Sequence, residues 1–185
     1  MNEQLPSKEE ALEIVVKSGC SSAVINHCET VAALAKVIAE NCKKKGANVN
    51  VELVEVGALL HDVGRSKTHD VNHPILGAEI ARRWGLPENV VKIIERHIGG
   101  GITTEEAKQL GWPIKSYMPQ TLEEKIVCYA DKLVEGNRTV PVEQALQELS
   151  EKLGKEHPAI RRIRAIHKEL AILVGDSDAD RNHTA

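Results

Sequence analysis

A chain of 185 residues is long enough for one domain with a real core and short for two. It is 42% hydrophobic and 28% charged, the balance of an ordinary water-soluble globule, and its net charge of -3 leaves no basic excess to draw in a nucleic-acid polymer by counterion release. Aromatic residues make up 2% with no Phe, so platforms for stacking unpaired bases are scarce and the core must rest on Leu, Ile, Val and Ala.

The periodicity is helical nearly throughout. Ser7 to Ser18 reads as a first helix, between Pro6 and Gly19. Ser21 or Ser22 opens a long second helix to about Lys45, with Val24, Cys28, Val31, Ala35 and Ile38 on one stripe and Gly46 as its stop. A third helix runs from about Asn50 to Asp62 and ends at Gly64; a charged loop, Arg65 to Asn72, follows. His73-Pro74 starts a fourth helix, with Pro in a tolerated first-turn position, and Gly85 ends it. Pro87 opens a fifth, which stops at Gly99-Gly100-Gly101. Thr103 to Leu110 is a short helix, and Gly111 to Gln120, with two prolines, is a loop. Thr121 caps the next helix, with Glu124 at capping-box spacing, and that helix is expected to reach about Glu135. Two more helices follow, near Pro141 to Leu153 and Pro158 to Val174, and residues 175–185 read as a polar, flexible tail. No convincing strand pattern, repeat or dividing linker emerges. The expected architecture is therefore all-α, a single domain of eight to nine helices.

Cys20, Cys28, Cys42 and Cys128 form no C-x-x-C pair, and three of them sit in helical patterns as small apolar residues. No apolar leader follows Met1 and no run is long enough for a membrane span, so the expected setting is a reducing cytoplasm without a membrane partner. Arg161-Arg162-Ile163-Arg164 is the basic cluster, read as a solvated helix face rather than a polymer groove. The last helix carries Ile160, Ile163, Ile166, Leu170 and Val174, a stripe for packing on the core or across a homodimer.

Chemistry concentrates in ionisable residues on apolar faces. His27 shares a face with Val31, Leu34 and Ile38; His61 lies beyond Val54, Gly57 and Ala58; His73 precedes Gly77, Ile80 and Trp84; His97 follows Val90 and Ile94; Asp131 sits between Val127 and Val134. An ionisable group facing a core must be paired or bound to a metal, because an isolated buried charge is very costly. One such histidine is usually a satisfied core residue, and His167 is a reminder of that. Five such residues plus Asp62, spread over separate helices, are better satisfied together by a shared cation. The pair His61-Asp62 at a helix end is the sharpest local clue. There Gly57 thins the helix one turn before, and Gly64 is expected to leave space beside the ion.

His27, His61-Asp62 and Asp131 resemble the H…HD…D signature of the HD-domain superfamily, and His61-Asp62-Val63-Gly64 resembles its HDIG variant. The resemblance spans about Ser21 to Glu135. It implies an HD-domain helical bundle over 1–174, with a core at 21–136 and the helices of 141–174 packed on it, and a metal-dependent phosphohydrolase. It also implies that His27, His61, Asp62 and Asp131 bind a first metal, and that His73 and His97 hold a second with Asp62 bridging. Mixed imidazole and carboxylate ligands suit one or two divalent ions of Fe, Mn, Co, Ni or Zn. Such an ion lowers the pKa of bound water from 15.7 toward about 7 and so supplies hydroxide at neutral pH.

The expected substrate is a small phosphorylated metabolite or nucleotide. Asp62, Arg65 and Lys132 are the candidate catalytic residues; Arg65, Lys67 and Lys132 are the candidate phosphate-binding cations. Arg96 reads as a surface cation. A di-iron oxygenase and a nucleotide-sensing module are the competing readings. The loop from Gly99 to Gln120, with Trp112 and Tyr117, reads either as a lid or as an ordinary surface connection.

Overall fold

A computed structural model describes residues 4–175, and side-chain caps set most of its helix starts. Ser7 and Glu10 form a reciprocal capping box on α1 (Lys8–Lys17). Ser21 caps α2 (Ser22–Lys44), and Asn50 caps α3 (Val51–Leu60). A 3-10 turn, Val63–Ser66, leads into α4 (His73–Arg83), α5 (Glu88–Arg96) and α6 (Thr104–Gln109). The chain closes with α7 (Leu122–Lys132), a hairpin of β1 (Val134–Glu135) and β2 (Arg138–Thr139), α8 (Val142–Leu153) and α9 (Pro158–Val174). Nine α-helices among the described residues match the expected all-α bundle, and no described helix is long and apolar enough to cross a membrane. Most of the predicted tail, residues 176–185, lies outside the described residues.

α3 is the centre of the core. Leu53, Val54, Val56, Gly57, Ala58, Leu59 and Leu60 are all buried, so the helix is enclosed on every side from Val56 onward, while Glu52 and Glu55 of its first half face outward. α1, α2, α5 and α7 pack around it. Each large apolar side chain enclosed here, such as Leu59, Leu60 or Ile93, contributes about 1.5–3 kcal/mol of transfer free energy. Gly57 lets α5 approach: a Cβ there would lie 2.5 Å from Ile93 Cδ1. The stripe Ile160, Ile163, Ile166 and Leu170 of α9 is spent inside the chain, because that helix packs on α2 and α7.

Three expectations are corrected. The helix expected to reach Glu135 stops at Lys132, and a strand pair absent from the sequence reading follows it. Val134 pairs with Thr139 and Glu135 with Arg138, around a Gly136-Asn137 turn in which Gly136 takes φ +62°. Glycine adopts that angle at no steric cost. Second, Thr121 caps α7, but Glu124 does not return the bond. Its carboxylate instead takes Arg96 at 2.9 and 3.1 Å and the Gln120 N–H at 2.7 Å. Arg96 is thus a structural ion-pair partner and not a surface cation. Third, the basic cluster divides: Arg161 and Arg164 are exposed, while Arg162 grips Glu106 of α6 through two bonds of 2.8 and 2.9 Å.

Candidate metal centre

Four imidazoles enter one region from four different elements. His61 and His97 occupy the C-caps of α3 and α5, where backbone carbonyls lack helical partners. Each turns its Nδ1 onto such a carbonyl: His61 onto Ala58 O at 2.6 Å and His97 onto Ile94 O at 2.8 Å. His73, the first residue of α4, donates Nδ1 to Asp70 O at 2.8 Å. His27 of α2 donates to Gly136 O in the hairpin turn at 3.0 Å. These bonds place a proton on each Nδ1 and turn every Nε2 inward.

The four Nε2 atoms converge on two carboxylates. His27 Nε2 lies 3.1 Å from Asp131 Oδ1 and 4.0 Å from Asp62 Oδ2; His61 Nε2 lies 3.5 and 3.7 Å from the same two oxygens. On the far side of Asp62, His73 Nε2 is 3.2 Å and His97 Nε2 3.5 Å from Oδ1. Asp62 therefore stands between two ligand groups, with one oxygen turned to each. His61 Nε2 and Asp62 Oδ1 are fully buried and lack a hydrogen-bond partner of acceptable geometry. Orphaned buried polar atoms are costly, and a cation is the partner that suits an imidazole lone pair and a carboxylate together. The described residues fit a metal on this ground: the groups His27, His61, Asp131 and His61, Asp62, His97 each bring one donor atom per residue within 4.8 Å of one another.

The electrostatics agree. Burial pushes the Asp62 and Asp131 carboxyls up, but the surrounding charges outweigh it and hold both well below the usual carboxylate range; His61 leads for Asp62 and Lys132 for Asp131. Both carboxylates are therefore held ionised, the form a metal requires. Burial pushes His97 down to about 4, so its imidazole is neutral near pH 7, the form a metal requires. His61 differs: Asp62 outweighs the burial and raises the group well above its ordinary value, so an ion bound there would displace a proton from Nε2.

Exposure separates a closed side of the cluster from an open one. The side chains of His61 and His97 are 0% and 1% exposed, whereas His27, Lys132 and Arg65 are 18%, 26% and 29% exposed. Those three form the open side. Arg65 Nε donates to Asp62 Oδ2 at 2.6 Å, and Lys132 Nζ to Asp131 Oδ2 at 2.8 Å. Lys67 is not brought to the cluster: it is exposed and pairs with no carboxylate among the described residues.

Two features differ from expectation. Gly64 does not open space beside an ion. Its α-carbon sits against α4, where a Cβ would meet His73 O at 1.9 Å and Gly77 N at 2.7 Å. The Gly64–Gly77 contact brings His61-Asp62 beside His73. The segment after His97 is no open flap either: Trp112 and Tyr117 turn inward, stack edge-to-face and form a small core with Ala107. His167, off the site, bonds the Tyr129 hydroxyl at 2.7 Å. The Gly136 carbonyl behind His27 escaped the sequence reading, although Gly-Asn after an apolar segment is a hairpin signal.

A family model described as HD domain matches residues 24–135. An uncharacterised protein of Methanocaldococcus jannaschii is 48% identical over 162 residues, covering 88% of this chain and 95% of that protein. A tRNA (cytidine(56)-2'-O)-methyltransferase of Picrophilus torridus is 39% identical over 92% of this chain, which spans only 48% of that enzyme. The HD domain of the L. monocytogenes phosphodiesterase PgpH, solved with cyclic-di-AMP, shares the fold at a TM-score of 0.54 and 18% identity, covering 95% of this chain and 98% of that one. The chain belongs to the HD-domain family.

Proposed function

We propose that this chain hydrolyses a small phosphate ester, a nucleotide or a related phosphorylated metabolite, with two divalent metals held by His27, His61, Asp62, His73, His97 and Asp131. The single observation that carries the reading is the inward convergence of four Nε2 atoms on two buried carboxylates. When bound, the metals supply a nucleophile at neutral pH and neutralise phosphoryl charge.

The protein's own part is positioning. Four Nδ1 bonds to backbone carbonyls lock the rings, so little reorganisation accompanies ligation. Asp62 spans the two halves through its separate oxygens. The enclosed side, His61 and His97, excludes bulk water and strengthens every charge interaction in the site. Arg65 and Lys132 stand at the open side, each anchored to a ligand carboxylate, where they can meet the phosphate as charge develops.

The cyclic-di-AMP complex of the PgpH neighbour supports a nucleotide phosphodiester as the first substrate class to try. The two cations at the open side favour hydrolysis over the oxygenase reading, since an anion is what they would recognise. The test is a panel of phosphomonoesters, linear and cyclic dinucleotides and a short oligoribonucleotide, with Mn, Co, Ni or Fe supplied, in air and without oxygen. Release of phosphate or of a nucleoside monophosphate that persists anaerobically is the expected result. Oxygen consumption with iron and no phosphate-ester turnover would overturn it, as would tight nucleotide binding without any product.

A further inference from the structure

Asn72 occupies the N-cap of α4, the place where an asparagine side chain ordinarily accepts an N–H from its own helix. Here it makes no capping bond. Its backbone is already helical, φ -80° and ψ -5°, and its side-chain oxygen accepts instead from Trp112 Nε1 at 2.6 Å, forty residues away. A local cap has been exchanged for a tertiary tether. The next residue is His73.

The far end of the tether is rigid. Trp112 is buried in the small core with Ala107 and Tyr117. Ile102 and Tyr117 exchange backbone bonds of 2.9 and 3.4 Å across the base of the segment. The Tyr117 hydroxyl donates to Pro113 O at 3.1 Å, and Lys115 reaches the buried Glu95 of α5 at 2.7 Å. This segment leaves the chain directly after His97. One path therefore runs from His97 through the packed segment to Trp112, across to Asn72 and into His73, enclosing the half of the cluster formed by those two imidazoles.

We infer that Trp112, through Asn72, is a positioning residue for the second metal: it holds His73 in register with His97 and so sets whether the centre takes one ion or two. This rests on reading the cluster as a dinuclear metal centre. His27, His61 and Asp131 receive no support from the tether, so its loss divides the two halves.

The experiment is metal titration of the full chain with Mn and Co, followed by elemental analysis after gel filtration, for wild type, Trp112→Phe, Asn72→Ala and Asn72→Asp. Wild type should hold two ions. Trp112→Phe and Asn72→Ala should keep the first and bind the second about 10–100-fold more weakly, the usual cost of losing a partner behind a metal ligand. Asn72→Asp retains the acceptor and should keep both. A general loss of stability would weaken both ions together, so the split is the diagnostic. Should Trp112→Phe fold poorly, Asn72→Ala decides the matter, since Asn72 is exposed and leaves the Trp112 core intact. Equal, undiminished binding of two ions in both variants overturns the inference. A wild type that binds no metal overturns the underlying reading as well.

Discussion

The Nε2 atoms of His73 and His97 face each other at 3.1 Å, while both Nδ1 atoms donate to backbone carbonyls. Two neutral imidazoles in that tautomer present lone pair to lone pair, so nothing bonds them directly. Burial pushes His97 down to about 4, so its Nε2 offers a lone pair to that gap. A cation between the rings removes the conflict. Chelation is therefore expected to destabilise the fold. An ion present at about 100 times its Kd stabilises by about 2.7 kcal/mol, or on the order of 5–10 °C in Tm for a domain of this size. Thermal melts with and without EDTA check this; coincident curves for metal-loaded and stripped protein would count against it.

Gly64 makes the contact on which the two halves of the centre depend. Because the atom facing it is the His73 carbonyl, and not a side chain that can rotate away, Gly64→Ala must move backbone. A loss of about 3 kcal/mol or more is expected. Gly77→Ala meets the Ile94 Cγ2 at 2.8 Å, a side chain that can give, and the Gly64 backbone N only at 3.2 Å, so it should cost less, about 1–2 kcal/mol. Urea denaturation of both variants gives the comparison, and the reverse order would refute this account of Gly64.

Arg65 and Lys132 are expected to act on the substrate's charge. Arg65→Ala or Lys132→Ala should lower kcat/KM by about 10²–10³-fold with the metal count unchanged. Lys67→Ala, two residues along on the exposed loop, should stay within about twofold. Steady-state kinetics beside elemental analysis separates the cases; an equal fall in Lys67→Ala would show that the loop, and not the open side of the cluster, meets the phosphate.

A pH test is available away from the centre. Arg162 first, and the Thr103 N–H with it, hold the Glu106 carboxyl below its ordinary 4.5 despite partial burial. A carboxylate with a depressed folded pKa contributes stability that is present above the unfolded value and lost as pH falls through the folded one. Glu106→Gln should thus be less stable than wild type by about 1–3 kcal/mol at pH 7. That gap should close on acidification below 4.5. A gap unchanged from neutral to strongly acidic solution would show that shape, and not charge, carries the Arg162 contact.

Much of this was legible in the sequence because helices announce themselves through local chemistry. Ser21, Thr103 and Thr121 cap where helices were expected to open, the third helix starts beside Asn50 as expected, and the apolar stripes carrying His27, His61, His97 and Asp131 do face one another. What stayed hidden depends on neighbours distant in sequence. Two-residue strands are too short to alternate, so β1 and β2 left no period to read. The second partner of Glu124 is Arg96, twenty-eight residues away, and it overrode a local capping pattern. Gly64 looked like spare room because a missing side chain reads as space until the backbone that fills it is seen.

The most direct measurement is elemental analysis of purified wild type and Asp62→Ala, with circular dichroism beside it. Asp62 alone offers an oxygen to each half of the cluster. Wild type should carry two divalent ions per chain, and Asp62→Ala should lose both and all turnover while keeping its helical signal. Normal metal content in Asp62→Ala, or none in the wild type, would contradict the claim that these six side chains form a metal centre.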